Sequence, residues 1–276
     1  MLLKFTKMHG LGNDFVVVDA VSRKVYFNKD MIARLGDRHT GIGFDQLLVV
    51  EPPTNPDMDF RYRIFNCDGS EVEHCGNGAR CFATFVQDKE LTNKDIINVE
   101  TKNGPIQLRV LAGGQVTVDM GVPSFNPVDL PFTGEANGDF YDIPVAGEYY
   151  PITPVSVGNP HAVHKVTELT DNYVAEVGAA IESHALFPNN VNVGFMQLVS
   201  ESEINLRVFE RGVGETQACG TGTCAAVVAG IKQGWLGPKV KANLLGGELT
   251  IEWHGEGQPI LMTGPTAKVF EGQIYL

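Results

Sequence analysis

Long apolar runs, basic clusters and closely spaced cysteine pairs are all missing from this 276-residue chain. No stretch approaches membrane-spanning length, and the opening MLLKFTKMHGLGNDF has too short an apolar run before Lys4 for the core of a secretory signal. Without export, its five cysteines (Cys67, Cys75, Cys81, Cys219, Cys224) are expected as thiols in the cytoplasm, not as a disulfide framework. Lys and Arg number 21 against 33 Asp and Glu, a net charge of -12, so the chain has little with which to neutralise phosphates. Binding to nucleic acid or to an anionic membrane is thereby disfavoured. The cysteine spacings, Cys-x5-Cys and Cys-x4-Cys with no clustered histidines, lack the close ligand pairs of a zinc site, and no metal is expected. With 43% hydrophobic and 20% charged residues, the composition is that of a folded globular chain long enough for two cores.

What is present is a duplication. RIFNCDGSEVEHCGNG (Arg63 to Gly78) aligns without gaps to RVFERGVGETQACGTG (Arg207 to Gly222), with six identities where roughly one is expected by chance. The shared positions are Arg63/Arg207, Phe65/Phe209, Glu71/Glu215, Cys75/Cys219, Gly76/Gly220 and Gly78/Gly222. Weaker echoes follow the same order: Gly12-Asn13 with Gly158-Asn159, and GFDQLL from Gly43 with GFMQLV from Gly194. A period this long indicates two related domains, not a solenoid. VVVD, LLVVE, FRYRIF, IQLRV, VTVDM, INLRVF and LTIEW read as short strands. ARCFATFVQDKE and TCAAVVAGIKQG, each following a Cys-Gly-x-Gly turn and apolar on nearly all sides, read as buried helices. The expected fold is α+β: two pseudo-symmetric domains, each a curved, mostly antiparallel sheet or barrel around a central helix. Their expected extents are 1-119 plus 265-276, and 120-264, with surface hairpins between Ser124 and Tyr150.

A cysteine at a helix N-terminus sits among unpaired N-H groups and positive potential, which predicts easier ionisation than its free value of about 8.5. Domains related by a two-fold axis would face Cys75 and Cys219 toward each other across a cleft, and the glycine turns could hold one small anion from both sides. A thiolate on one face of a carbon beside a carboxylate and a thiol on the other would invert its configuration without pyridoxal phosphate or metal. A thiol-disulfide switch is the alternative for this pair. Cys81 and Cys224, inside the apolar helices, read as small core residues, and Cys67 is similar.

The segments HGLGNDF, GFDQLL, FNCDGSEVEHCGNGARCF, GNPHAV, NVGFMQ and ERGVGETQACGTGTCAA resemble diaminopimelate epimerases, in the family's order and across essentially the whole chain. The resemblance implies interconversion of LL- and meso-2,6-diaminopimelate for lysine and peptidoglycan synthesis, no cofactor, and a homodimer. It implies that Cys75 and Cys219 are the acid-base pair, supported by His161 and Glu210. Gly76, Asn77, Gly220 and Thr221 would hold the reacting carboxylate, and Asn13, Gln46, Asn66, Asn159, Asn192, Glu210 and Arg211 the rest of the substrate. Thr221 and Cys67 depart from the residues expected there, Ser and Ala. Read without the resemblance, the four asparagines equally suit turn stabilisation, and His161 has no assigned role. Proline or hydroxyproline racemases, phenazine-pathway isomerases and an amino-acid-binding module are the competing classes.

Overall fold

A computed structural model describes residues 2–72, 75–137 and 140–276. The chain divides into two compact units, Met1–Asp119 with Thr263–Leu276, and Met120–Met262. The first unit contains β1 (Leu2–Gly10), β2 (Asn13–Asp19), α1 (Lys29–Gly36), β3 (Gln46–Glu51), β4 (Phe60–Asn66), β5 (Glu71–Val72), α2 (Gly76–Asp88), β6 (Ile96–Thr101), β7 (Gly104–Val110) and β8 (Gln115–Asp119). In the second lie β9 (Ala136–Asn137), β10 (Phe140–Val145), β11 (Glu148–Ser156), β12 (Pro160–Val166), α3 (Asp171–Glu182), β13 (Asn192–Ser200), β14 (Glu203–Glu210), β15 (Gly214–Thr216), α4 (Gly220–Lys232), β16 (Lys239–Leu244) and β17 (Gly247–Glu252). β18 (Leu261–Pro265) leads back to the first unit, where β19 (Ala267–Tyr275) pairs antiparallel with β1.

Strand pairing repeats the sequence duplication. In the first unit β1–β2 is antiparallel, β2–β3 parallel, β3–β4 and β4–β5 antiparallel, β4–β6 parallel and β6–β7 antiparallel. The second unit runs through the same series with β11, β12, β13, β14, β15, β16 and β17. Even the register is shared: Phe65 lies opposite Glu71 as Phe209 lies opposite Glu215. One ion pair therefore recurs, Arg63 Nε to Glu71 at 2.8 Å and Arg207 Nε to Glu215 at 2.5 Å, each guanidinium also donating a second bond to the same carboxylate. These arginines tie the strand to its neighbour, and their bidentate geometry is the strong form of such a contact.

Register also corrects one sequence echo. Gln46 lies opposite Asn66, and Asn192 is the residue that occupies the same place relative to Glu210, one position beyond the Val193–Phe209 pair. Gln46 thus corresponds to Asn192 and not to Gln197, so the likeness of GFDQLL to GFMQLV is accidental.

Helices α2 and α4 are central to their units. α2 packs against β1, β2, β3, β7 and β8, and α4 against β11, β12, β13, β14, β16 and β17. Both are buried around nearly their whole circumference, as their all-round apolar sequences require. Two further helices escaped the sequence reading. α1 is capped by the Asn28 side chain at Met31 N, and α3 by Thr170 at Tyr173 N. Gly178 breaks the apolar pattern of α3, but a Cβ there would come within 2.8 Å of the Phe209 ring, so the glycine serves helix-on-sheet packing. Among the described residues no helix is long and apolar enough to cross a membrane.

Phe82, fully buried on α2, meets the rings of Phe60 and Tyr62 at centroid distances of 6.1 and 4.9 Å. Phe82→Ala is expected to lower unfolding free energy by about 3–5 kcal/mol, read as a shift of the urea midpoint at unchanged slope.

Candidate active site

In both units a cysteine is the residue at which the central helix begins. Cys75 is the N-cap of α2 and Cys219 the N-cap of α4, each in extended backbone geometry. Each sulfur accepts a backbone N–H from the third helical residue, Gly78 N and Gly222 N, at 3.4 Å. The thiol therefore occupies the place a serine or aspartate oxygen normally takes, and is fixed at the positive end of the helix. Gly76, Asn77 and Gly220 are buried in these first turns, with Thr221 partly accessible beside them.

Around Cys75 the first unit assembles neutral amides. Asn13, opening β2, directs Oδ1 toward Cys75 Sγ at 3.7 Å and receives Asn77 Nδ2 at 3.4 Å. Its own Nδ2 donates to Asp45 at 2.9 Å. Gln46 and Asn66 form a separate pair, Nε2 to Oδ1 at 3.0 Å, while the buried Gln46 Oε1 has no protein partner. The Asn66 backbone also closes the turn between β4 and β5 with Ser70.

The corresponding ring in the second unit is charged. Asn159 donates to Thr221 Oγ1 at 3.3 Å, and Thr221 Oγ1 lies 3.6 Å from Cys219 Sγ. His161 Nε2 meets Asn159 Oδ1 at 3.0 Å, which places the proton on Nε2 and leaves the buried Nδ1 without a protein partner. Glu210 accepts from Thr216 Oγ1 at 2.5 Å. Asn192 bridges Pro160 O and the Arg211 N–H, both at 3.0 Å, and the exposed Arg211 guanidinium is steadied by Asn189 O at 3.1 Å. Strand register equates Asn66 with Glu210, hence Cys67 with Arg211, and Phe15 with His161.

Protonation follows from these surroundings. Burial pushes the Cys219 thiol well above its ordinary range, and the charge of Glu210 adds to this; the hydrogen bonds from Thr221 and Gly222 N–H oppose it but lose. The sequence expectation of easier ionisation is thus corrected for Cys219, because desolvation and a nearby carboxylate outweigh the helix end. His161 is pushed down to about 3 by burial and then by the positive Arg211, so it is neutral at pH 7. Cys81 is fully buried and pushed up to about 12 by that burial. Cys224 is fully buried as well. Cys67 Sγ donates to Phe44 O at 2.7 Å, and burial pushes that thiol up. Among the described residues no group of three or more His, Cys, Asp or Glu could hold a metal. Two contacts had no sequence signal: Thr216 on Glu210, and Asp45, inside GFDQLL, on Asn13.

Comparison with known proteins gives the same direction. A family profile described as diaminopimelate epimerase matches residues 5–126 and 153–269. Proteins named diaminopimelate epimerase from Pseudomonas entomophila (strain L48) and Ectopseudomonas mendocina (strain ymp) are 58% and 56% identical over 276 residues, covering 100% of both chains. Among solved structures, a Bacillus anthracis phenazine biosynthesis protein of the PhzF family superposes with TM-score 0.71 at 17% identity, covering 100% of both chains. A hydroxyproline epimerase from Agrobacterium vitis, with bound trans-4-OH-L-proline, gives 0.70 at 14% identity over 99% of this chain and 92% of that one. At such identities the structural likeness is one of fold.

His161 carries an acid-stability prediction. Its pKa is about 3 folded and about 6.5 unfolded, so the unfolded chain binds the extra proton between these values. Stability is full above that window and is lost as pH falls through it, by up to about 1.4 kcal/mol per pH unit. His161→Phe, which installs the residue of the matching position, is expected to flatten the pH dependence of unfolding free energy below pH ~6.5, measured by urea denaturation.

Proposed function

The chain belongs to the diaminopimelate epimerase family, and from that membership we propose that it interconverts LL- and meso-2,6-diaminopimelate with Cys75 and Cys219 as the two proton-transferring groups. The enzyme is an isomerase of the epimerase class. The observation that carries the reading is the recurrence of one device, a cysteine capping the N-terminus of a buried central helix, in both halves of a duplicated chain.

In the proposed reaction a thiolate removes the α-hydrogen from one face of the substrate carbon and the other cysteine's thiol delivers a proton to the opposite face. The pair holds one proton between its members and so titrates as a pair. Burial and Glu210 push the Cys219 thiol up, and one direction of the reaction starts from one of the two microstates in which the pair shares this proton. The reverse reaction starts from the other one. The carbanion-like intermediate is stabilised by backbone N–H groups of Gly76, Asn77, Gly220 and Thr221 at the α2 and α4 N-termini, which supply preorganised positive potential to its carboxylate.

Arg211 suits the distal carboxylate. Its guanidinium is exposed and anchored on Asn189 O, and the matching position in the first unit is the neutral Cys67. One cation for one distal carboxylate follows from this asymmetry, whereas a short cyclic amino acid offers it nothing to bind. Asn13, Gln46, Asn66, Asn159 and Asn192 are then the polar contacts for the remaining groups, with His161 orienting Asn159 as a neutral donor. The meso product is the form that lysine and peptidoglycan precursor synthesis draws on.

Chelator-treated protein without added cofactor is expected to convert LL-diaminopimelate to the meso form, followed by chromatography of the stereoisomers. Cys75→Ala and Cys219→Ala should each lose at least about 100-fold in kcat. Arg211→Ala should raise KM by roughly 10- to 100-fold, the loss expected for a charge-assisted hydrogen bond. Full turnover in either cysteine variant would contradict the two-thiol mechanism, and ligand binding without turnover in wild type would indicate a binding protein instead.

A further inference from the structure

Asp45 stands between the candidate site and a surface charge network, and the sequence assigns it nothing. Its Oδ2 accepts both Asn13 Nδ2 at 2.9 Å and the Asp14 N–H at 3.0 Å, while its Oδ1 accepts Arg38 Nη2 at 2.8 Å. Arg38 also grips Asp14 through two bonds, at 3.0 and 2.8 Å, and the Asp45 N–H returns to Asp14 Oδ1 at 2.9 Å. Lys7 closes the far side of Asp14 at 2.5 Å. Burial alone would raise the Asp14 carboxyl, but Arg38 and Lys7 hold it far below the carboxylate range, so Asp14 stays charged near neutral pH.

A primary amide has one accepting and one donating end, and a carboxylate only accepts. Asp45 therefore decides which way Asn13 faces: Nδ2 turns to the carboxylate, and Oδ1 is left pointing at Cys75 Sγ (3.7 Å) and Asn77 Nδ2 (3.4 Å). The opposite orientation would set two acceptors against each other and give up a charge-assisted bond, which outweighs a neutral contact to sulfur. An accepting oxygen favours the thiol over the thiolate at Cys75, whereas an amide N–H would favour the thiolate. The second unit orients Asn159 by other means, with His161 Nε2 on its Oδ1 and Thr221 on its Nδ2.

We propose that Asp45, held by Arg38, is a positioning residue that fixes the Asn13 amide with its carbonyl toward Cys75 and so sets the acid form of that thiol. The proposal rests on Cys75 being a reacting cysteine of the epimerase. Among the other titratable groups that feel Cys75, Tyr62 on β4 and Cys81 on α2 are both pushed up by burial and stay protonated near neutrality.

The test is the pH dependence of iodoacetamide alkylation on substrate-free protein, over about two units either side of the ordinary thiol pKa of ~8.5. Peptide mass spectrometry reads Cys75 apart from Cys67 and Cys219. In Asp45→Ala the apparent pKa of Cys75 is expected to fall by about one unit, roughly tenfold more thiolate at a given pH below it. Cys219 alkylation should stay at wild-type values. On Asn13→Ala protein the same Asp45→Ala change should add nothing, since Asp45 acts through Asn13. A Cys75 profile that stays on the wild-type curve overturns the proposal, as does a shift that recurs in full without Asn13 or extends to Cys219. No substrate is present, so these outcomes are independent of the diaminopimelate assignment, which the turnover assay decides.

Discussion

A sulfur atom held by a helix N-terminus is the constraint around which each unit is built. For Cys75 and Cys219 to accept the N–H of the third helical residue at 3.4 Å, the first turn must be tight and its third position bare. A Cβ on Gly78 would come within 2.3 Å of the Tyr62 hydroxyl; on Gly222 it would press Val208 at 3.1 Å and the Cys219 sulfur itself at 3.2 Å. The Cys-Gly-x-Gly signature is thus a packing requirement before it is a chemical one. The helix that follows must be buried on all sides to hold that turn still, and the sheet that wraps it places the ends of β2, β3 and β4, or of β12, β13 and β14, beside the cap.

Duplication makes the two caps alike, and divergence at the same strand ends makes them different. Phe15, Gln46, Asn66 and Cys67 in one unit stand where His161, Asn192, Glu210 and Arg211 stand in the other. All the ionisable groups among these matched positions except a thiol fall on the Cys219 side. The proposed reaction passes one proton between two similar thiols on a substrate with only one distal carboxylate, and symmetric caps with unsymmetric surroundings suit it.

The fold was largely legible in the sequence because its main elements carry strong local patterns. β-branched runs such as VVVD and LLVVE became β2 and β3, and the all-apolar segments after each Cys-Gly-x-Gly became α2 and α4. α1 and α3 were missed since one spans only eight residues and the other carries Gly178 in its apolar face. The short GF-x-Q echo misled by five positions, because a four-letter likeness weighs less than strand register. Thiol ionisation was misjudged at Cys219 for a physical reason: the helix end is visible in sequence, while burial and the approach of Glu210 arise from tertiary packing. Asp45 was invisible as a partner of Asn13 because the contact joins residues 32 positions apart.

The central claim is that two different thiols serve the two faces of one carbon, and isotope incorporation tests it most directly. LL-diaminopimelate is turned over in deuterated water and sampled at early conversion, with product and recovered substrate analysed separately by mass spectrometry. Two monoprotic bases predict one solvent deuterium at the α-carbon of the meso product and almost none in the recovered LL substrate. Equal deuterium in both pools would mean that a single base exchanges its proton on both faces, and would contradict the account.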